Sequence, residues 1–257
     1  MFAMNAPGRE TAPTVIAGDG TQYRRPGRLA EVVVNDLARQ IVGGQHAEND
    51  VLPNEPALCE QFGMSRTVVR EALKMLEERG LVRVEQGRGT TVQSRNSWNL
   101  LDPVILGIAL QYDDDMSLLD DLVNVRRVLE QEMTRAATPR LTDDELASLG
   151  ANIEQMEASC DDYERFRAFD LGFHSIIMEA SENRVGLTIV RAIHRYGGVR
   201  PQISTAAATR ASLERTTSEH RAIYEALRVR DPDLAGELTA RHIESAWAER
   251  RASKTRP

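Results

Sequence analysis

The sequence predicts a mainly α protein, with an N-terminal winged helix-turn-helix followed by a C-terminal antiparallel all-α bundle of six or seven helices. Three observations carry that prediction. Apolar residues recur at helical spacing from Leu29 to Leu76, then at a period of two from Leu81 to Val92 around the basic, glycine-rich stretch Gly87-Arg88-Gly89. Beyond Pro103 every segment has helical spacing and none alternates like a strand. Charge divides along the same line: residues 24–95 carry 11 Lys/Arg against 10 Asp/Glu, whereas residues 96–257 carry 20 against 27. The net charge of -7 therefore belongs to the second half, and any nucleic-acid contact in the first half comes from local clustering.

A chain of 257 residues is long enough for two cores. It has no apolar run of the ~20 residues a membrane span needs, nor a basic-then-apolar leader. Its two cysteines, Cys59 and Cys160, stand far apart in no metal or redox spacing. The expectation is a cytoplasmic protein with no membrane partner. The predicted organisation is a flexible tail over 1–25, a winged-helix domain over 26–95, a linker over 96–103 and a helical domain over 104–253.

The first helix places Leu29, Val32, Val33, Leu37 and Ile41 on one face and stops at Gly43-Gly44. A turn at Leu52-Pro53-Asn54 leads into a short helix over about 55–62, with Leu58 and Phe62 inward, and Gly63 connects it to the next. In that third helix Val68, Val69, Ala72, Leu73 and Leu76 make the apolar stripe, with Ser65 as N-cap. Ser65, Arg66, Thr67 and Arg70 cluster at its start, the end that enters a DNA groove in a helix-turn-helix. Alone, this is also the pattern of any amphipathic helix with solvated arginines. The hairpin that follows decides for a winged helix, whose Gly87 permits close approach to DNA and whose Arg88 supplies charge.

The runs Leu52-Pro53-Asn54-Glu55, Phe62-Gly63-Met64-Ser65-Arg66-Thr67-Val68-Val69-Arg70-Glu71-Ala72-Leu73, Gly80-Leu81-Val82 and Gly87-Arg88-Gly89-Thr90 resemble the N-terminal signature of GntR-family transcription regulators. The resemblance implies that Ser65, Arg66, Thr67 and Arg70 read an operator, and that Gly87 and Arg88 form the wing tip. Two departures stand out. Glu48-Asn49-Asp50 replaces a usual Pro-Gly, and Pro56 stands where some members carry a DNA-contacting arginine.

Trp98-Asn99-Leu100-Leu101-Asp102-Pro103 resembles the linker of the FadR branch, and Asp102-Pro103 is a good helix start. Helices are then predicted over about 117–137 (stripe Leu118, Leu122, Val125, Leu129, Met133) and from a capping box at Thr142-Asp143-Asp144-Glu145. Others follow over 161–180, 185–196 and 207–228, and from Asp231-Pro232 to about Arg251.

Asp170 and His174 stand four apart on one helix, so both can reach one ion, and His220 and His242 lie on the last two helices. One carboxylate and three imidazoles suit Zn, Ni or Mn as a divalent metal ion. Spacing alone leaves open that these are core or surface histidines, and it gives His46 and His194 no such company. Phe169-Asp170-Leu171-Gly172-Phe173-His174, Glu219-His220 and His242 are similar to the metal-binding pattern of the FCD effector domain of the same branch, and Arg126-Arg127-Val128-Leu129-Glu130 to its first-helix signature. The expected partners are a pseudo-palindromic double-stranded operator bound by a homodimer, and a small carboxylate effector paired by Arg126, which Glu130 orients. Arg127 is expected in solvent. No catalytic residue is expected. The competing readings are an acyl-coenzyme A-responsive regulator of the same family, a metal-dependent hydrolase, and a scaffold with a purely structural metal.

Overall fold

The computed structural model describes residues 26–85, 87–196 and 208–254, so the predicted tail lies outside the described residues. Among these there are ten α-helices and one two-stranded sheet. No helix among them is long and apolar enough to cross a membrane.

The N-terminal unit is α1 (Pro26–Val42), α2 (Glu55–Phe62), α3 (Arg66–Glu78) and the hairpin β1 (Val82–Glu85) and β2 (Gly89–Val92). The α3 stripe is buried as predicted, with Val68, Val69, Ala72, Leu73 and Leu76 all inside. The Ser65 hydroxyl accepts from Val68 N and caps the helix. The buried face of α1 is rotated from the expected one: Ala30, Val33, Val34, Leu37, Ala38 and Ile41 are inside, while Leu29 and Val32 are exposed. Both stripes are legal at 3.6 spacing, and α3, which packs across α1, selects the one with small residues.

β1 and β2 pair antiparallel with Val82 opposite Val92 and Glu85 opposite Gly89. The segment before α2 extends the sheet: Leu52 N donates to Thr90 O at 2.8 Å and Val92 N to Asp50 O at 2.9 Å. Glu77 of α3 accepts from Val84 N at 2.8 Å, so the third helix holds the hairpin directly. Gly80, between α3 and β1, has φ 76°, and a Cβ there would run into the Ser97 carbonyl. Only glycine allows that approach.

α4 (Pro103–Gln111) begins with the predicted Asp102 cap, whose Oδ1 accepts from Val104 N at 2.9 Å and Ile105 N at 3.1 Å. Its Ile105, Ile108 and Ala109 complete the N-terminal core, although they follow the stretch expected to be linker. The other oxygen of Asp102 meets Arg79 Nε at 2.9 Å, tying the end of α3 to the start of α4.

The C-terminal core is built by α5 (Ser117–Ala137), α6 (Asp143–Glu157), α7 (Tyr163–Ala180), α8 (Arg184–Tyr196), α9 (Arg210–Arg228) and α10 (Pro232–Lys254). The Thr142–Glu145 capping box forms as expected. α10 lies along α5 and α9. The inward side of α5 is Glu130, Met133, Thr134 and Ala137, whereas Val125, expected on the stripe, is exposed. The polar Glu130 displaces the apolar stripe because it has charged partners inside the bundle.

Candidate functional site

Three helices converge on one point. α7 contributes Asp170 and His174, α9 His220, and α10 His242; one donor atom from each lies within 4.8 Å of all the others. The three imidazoles are almost fully buried, at 1%, 0% and 4% side-chain exposure, and Asp170 is 20% exposed. Phe173 packs edge-on against His220 at 4.7 Å between ring centroids.

Their orientation is set from outside the cluster. His220 Nδ1 lies 2.8 Å from the Thr216 carbonyl oxygen, so it carries the proton and leaves the Nε2 lone pair facing inward. His242 Nδ1 lies 2.8 Å from Glu219 Oε2, and the other oxygen of Glu219 accepts from the Ser245 hydroxyl. His174 Nδ1 lies 2.8 Å from Glu130 Oε2. His220 and His242 are thus held at Nδ1 by a hydrogen bond, with Nε2 as the remaining donor, whereas His174 Nδ1 and Glu130 Oε2 approach each other without hydrogen-bond geometry. His220 Nε2 is buried without a hydrogen-bond partner, 3.3 Å from Asp170 Oδ1. An orphaned buried nitrogen is costly, and a divalent cation would satisfy it. The donor set of three neutral imidazoles and one carboxylate fits such an ion.

The electrostatics agree. Burial pushes the His242 pKa down to about 4, and the neighbouring His220 adds to that, so the ring is neutral and able to ligate. Burial alone would raise the Asp170 carboxyl, but the close approach of the His220, His174 and His242 rings outweighs it and holds the group below the usual carboxylate range.

Beside the cluster, α5 presents Arg126 and Glu130 on one face, as their spacing predicts. Arg126 Nε donates to Glu130 Oε1 at 2.6 Å, and its Nη2 stands 3.5 Å from His174 Nε2. Glu130 is fully buried. Burial favours its neutral form, yet the charges of Arg126 and His174 and the hydrogen bond from His194 keep it well below the usual carboxylate range. Two features were missed in the sequence. His194 belongs to the site after all, with Nε2 3.0 Å from Glu130 Oε1; no spacing signal links α8 to α5. Glu219 was quoted only as part of a pattern, yet it orients His242. Arg127, expected in solvent, pairs with Glu244 of α10 at 3.2 Å.

At the other end of the chain, Ser65, Arg66, Thr67 and Arg70 are all exposed at the start of α3, and Gly87 and Arg88 are exposed at the hairpin tip. Gly87 has φ 81°. Arg88 reaches Glu85 at 3.5 Å. Arg70 is engaged by Glu55 of α2, through Nε at 2.8 and 3.0 Å. Pro56 sits in the first turn of α2, where its missing N–H costs nothing.

A winged helix-turn-helix joined to a separate helical domain defines the class of DNA-binding transcription regulators. Comparison with known proteins agrees: residues 29–92 match the bacterial regulatory proteins of the gntR family, and residues 121–245 match the FCD domain. The chain belongs to the GntR family, in its FCD-bearing branch, whose members are regulators of transcription rather than enzymes. The Galactonate operon transcriptional repressor of Escherichia coli (strain K12) is 31% identical over 214 residues, covering 83% of this chain and 93% of that one. The HTH-type transcriptional repressor NanR of Klebsiella aerogenes is 30% identical over 226 residues, covering 88% of this chain and 86% of that one. The structure of E. coli McbR/YncC, at 22% identity and a TM-score of 0.51, covers 88% of this chain and 99% of that one and shares its fold.

Proposed function

We propose that this protein is a transcriptional repressor that binds a pseudo-palindromic operator as a homodimer and releases it when a small organic acid occupies a divalent-metal site in the C-terminal bundle. The observation that carries this reading is the convergence of Asp170, His174, His220 and His242, with His220 and His242 oriented from behind and the Arg126 guanidinium alongside. A bound Zn, Ni or Mn ion would supply a Lewis-acidic point for a carboxylate oxygen. Arg126 supplies the second contact to that anion, a charge-assisted hydrogen bond. Glu130 holds the guanidinium through Nε, and Nη2 stands beside the His174 ring at the edge of the cluster. A sugar acid or hydroxy acid suits the pair, since its carboxylate and neighbouring hydroxyl offer two oxygens, and the likeness to the galactonate operon repressor supports that class.

The helices that hold the site include α5, which follows α4, and α4 is packed into the winged-helix core. An effector that fits one arrangement of these helices better than another changes DNA affinity by that difference. Dimerisation would set two α3 helices on successive major-groove faces. In this reading Ser65, Arg66, Thr67 and Arg70 face the groove, while Gly87 and Arg88 meet the backbone or minor groove.

Titration calorimetry of the metal-loaded protein against galactonate and a panel of aldonic and hydroxy acids tests the proposal, together with gel shifts on a duplex selected by the protein from a random pool. Binding should require metal, weaken at least tenfold in Arg126→Ala, and release the duplex. Effector binding that ignores metal removal, or that is undiminished in Arg126→Ala, would overturn it.

A further inference from the structure

The contact between Glu55 and Arg70 bears on how the DNA is read. Both oxygens of Glu55 lie on the same nitrogen of Arg70, Nε, at 3.0 and 2.8 Å. Glu55 is the first residue of α2 and is two-thirds buried, held by the turn that Asn54 caps through Ala57 N at 3.0 Å. Arg70 is 69% exposed on the α3 surface. A guanidinium has two bidentate edges, and a carboxylate on Nε occupies the side edge. The end edge, formed by Nη1 and Nη2, has no hydrogen bond or ion pair of its own to the described residues, on a side chain that is largely exposed. That edge matches the O6 and N7 acceptors of a guanine in the major groove.

The charge arithmetic points the same way. The Arg70–Glu55 pair is neutral as a unit, so it adds little to attraction for phosphates in general. Arg66, one helical turn earlier and also exposed, has no ion-pair partner among the described residues and keeps its full charge. A carboxylate on a DNA-facing surface weakens non-specific binding.

We infer that Glu55 is a positioning residue for sequence readout: it clamps Arg70 through Nε so that the Nη edge reads a guanine, while Arg66 serves affinity. The inference rests on the operator-binding reading above. It assigns the two arginines different work. Removing the clamp frees Arg70 to swing toward phosphates, so sequence preference falls while general DNA affinity holds or rises.

The test uses the full-length protein and the duplex it selects from a random pool, with 7-deazaguanine replacing each guanine in turn to delete the N7 acceptor. Wild type should lose on the order of tenfold in affinity or more at one guanine per half-site. Glu55→Gln should shrink that loss to threefold or less while binding to unrelated duplex is equal or tighter. Arg70→Ala should abolish the loss, and adding Glu55→Gln to Arg70→Ala should change discrimination no further. Thermal melts of each variant check folding. If Glu55→Gln tightens binding to all duplexes and keeps the full 7-deazaguanine penalty, Glu55 only repels DNA and the inference is wrong. It is equally wrong if Arg70→Ala keeps the penalty. If wild type selects no duplex at all, the operator reading itself fails, a result distinct from either of these.

Discussion

Replacing Glu130 by glutamine removes one charge from the fully buried centre of the effector domain without opening a cavity. The carboxylate is the shared partner of Arg126 at 2.6 Å, His174 at 2.8 Å and His194 at 3.0 Å. Its loss leaves Arg126 charged and 16% exposed, with only the more distant Asp170 carboxylate to offset it. Stranding one member of a buried ion pair costs about 3–5 kcal/mol, and the partial exposure of Arg126 argues for the lower end. The weakened acceptor for His194 adds roughly 1 kcal/mol. A total of about 4 kcal/mol in a domain of this size corresponds to a fall of roughly 8–16 °C in melting temperature. Scanning calorimetry of metal-free protein reads it directly. The same variant should bind metal about 10–100-fold more weakly, because His174 loses its orienting partner. A midpoint within about 2 °C of wild type would show that Arg126 is compensated by something other than Glu130, and the account of the site would have to be redrawn.

Glu219→Ala should weaken metal binding by about 10–100-fold with little change in the fold, since it frees the His242 ring; competition with a chromophoric chelator measures it. Gly80→Ala forces a Cβ into the Ser97 carbonyl at a positive φ and should cost more than about 2 kcal/mol in urea unfolding of the DNA-binding domain. The His242 pKa is depressed from 6.5 to about 4 in the fold, so the neutral ring is favoured there. Its stabilisation is complete above pH 6.5 and lost as pH falls toward 4, on the order of 3 kcal/mol in metal-free protein, which denaturant titrations across that range would measure.

Much of this molecule was legible from residue order because the informative signals are local. The Val68–Leu76 stripe, the Ser65, Asp102 and Thr142 caps, and the four-residue spacings of Arg126 with Glu130 and Asp170 with His174 each depend on one helix and its geometry. What escaped depends on packing between helices. His194 reaches Glu130 only because α8 lies against α5. Glu219 and His242 are brought together by the antiparallel return of α10 along α9, and no period in either helix records that. Val32 and Val125 look like core residues in a helical projection, but a helix of mixed composition has more than one permissible apolar face, and the neighbour it meets chooses.

The clasp between Arg79 and Asp102 has a mechanical consequence. With the end of α3 bonded to the start of α4, and α4 seated in the winged-helix core, these parts turn as one rigid lever. The elbow lies at residues 112–116, where Met116 adopts φ 65° and Asp113 pins the first turn of α5 through Leu118 N and Leu119 N, each at 3.0 Å. Under the proposed function, small movements around a bound acid would reach the operator as a change in half-site spacing, with the shape of the reading head preserved.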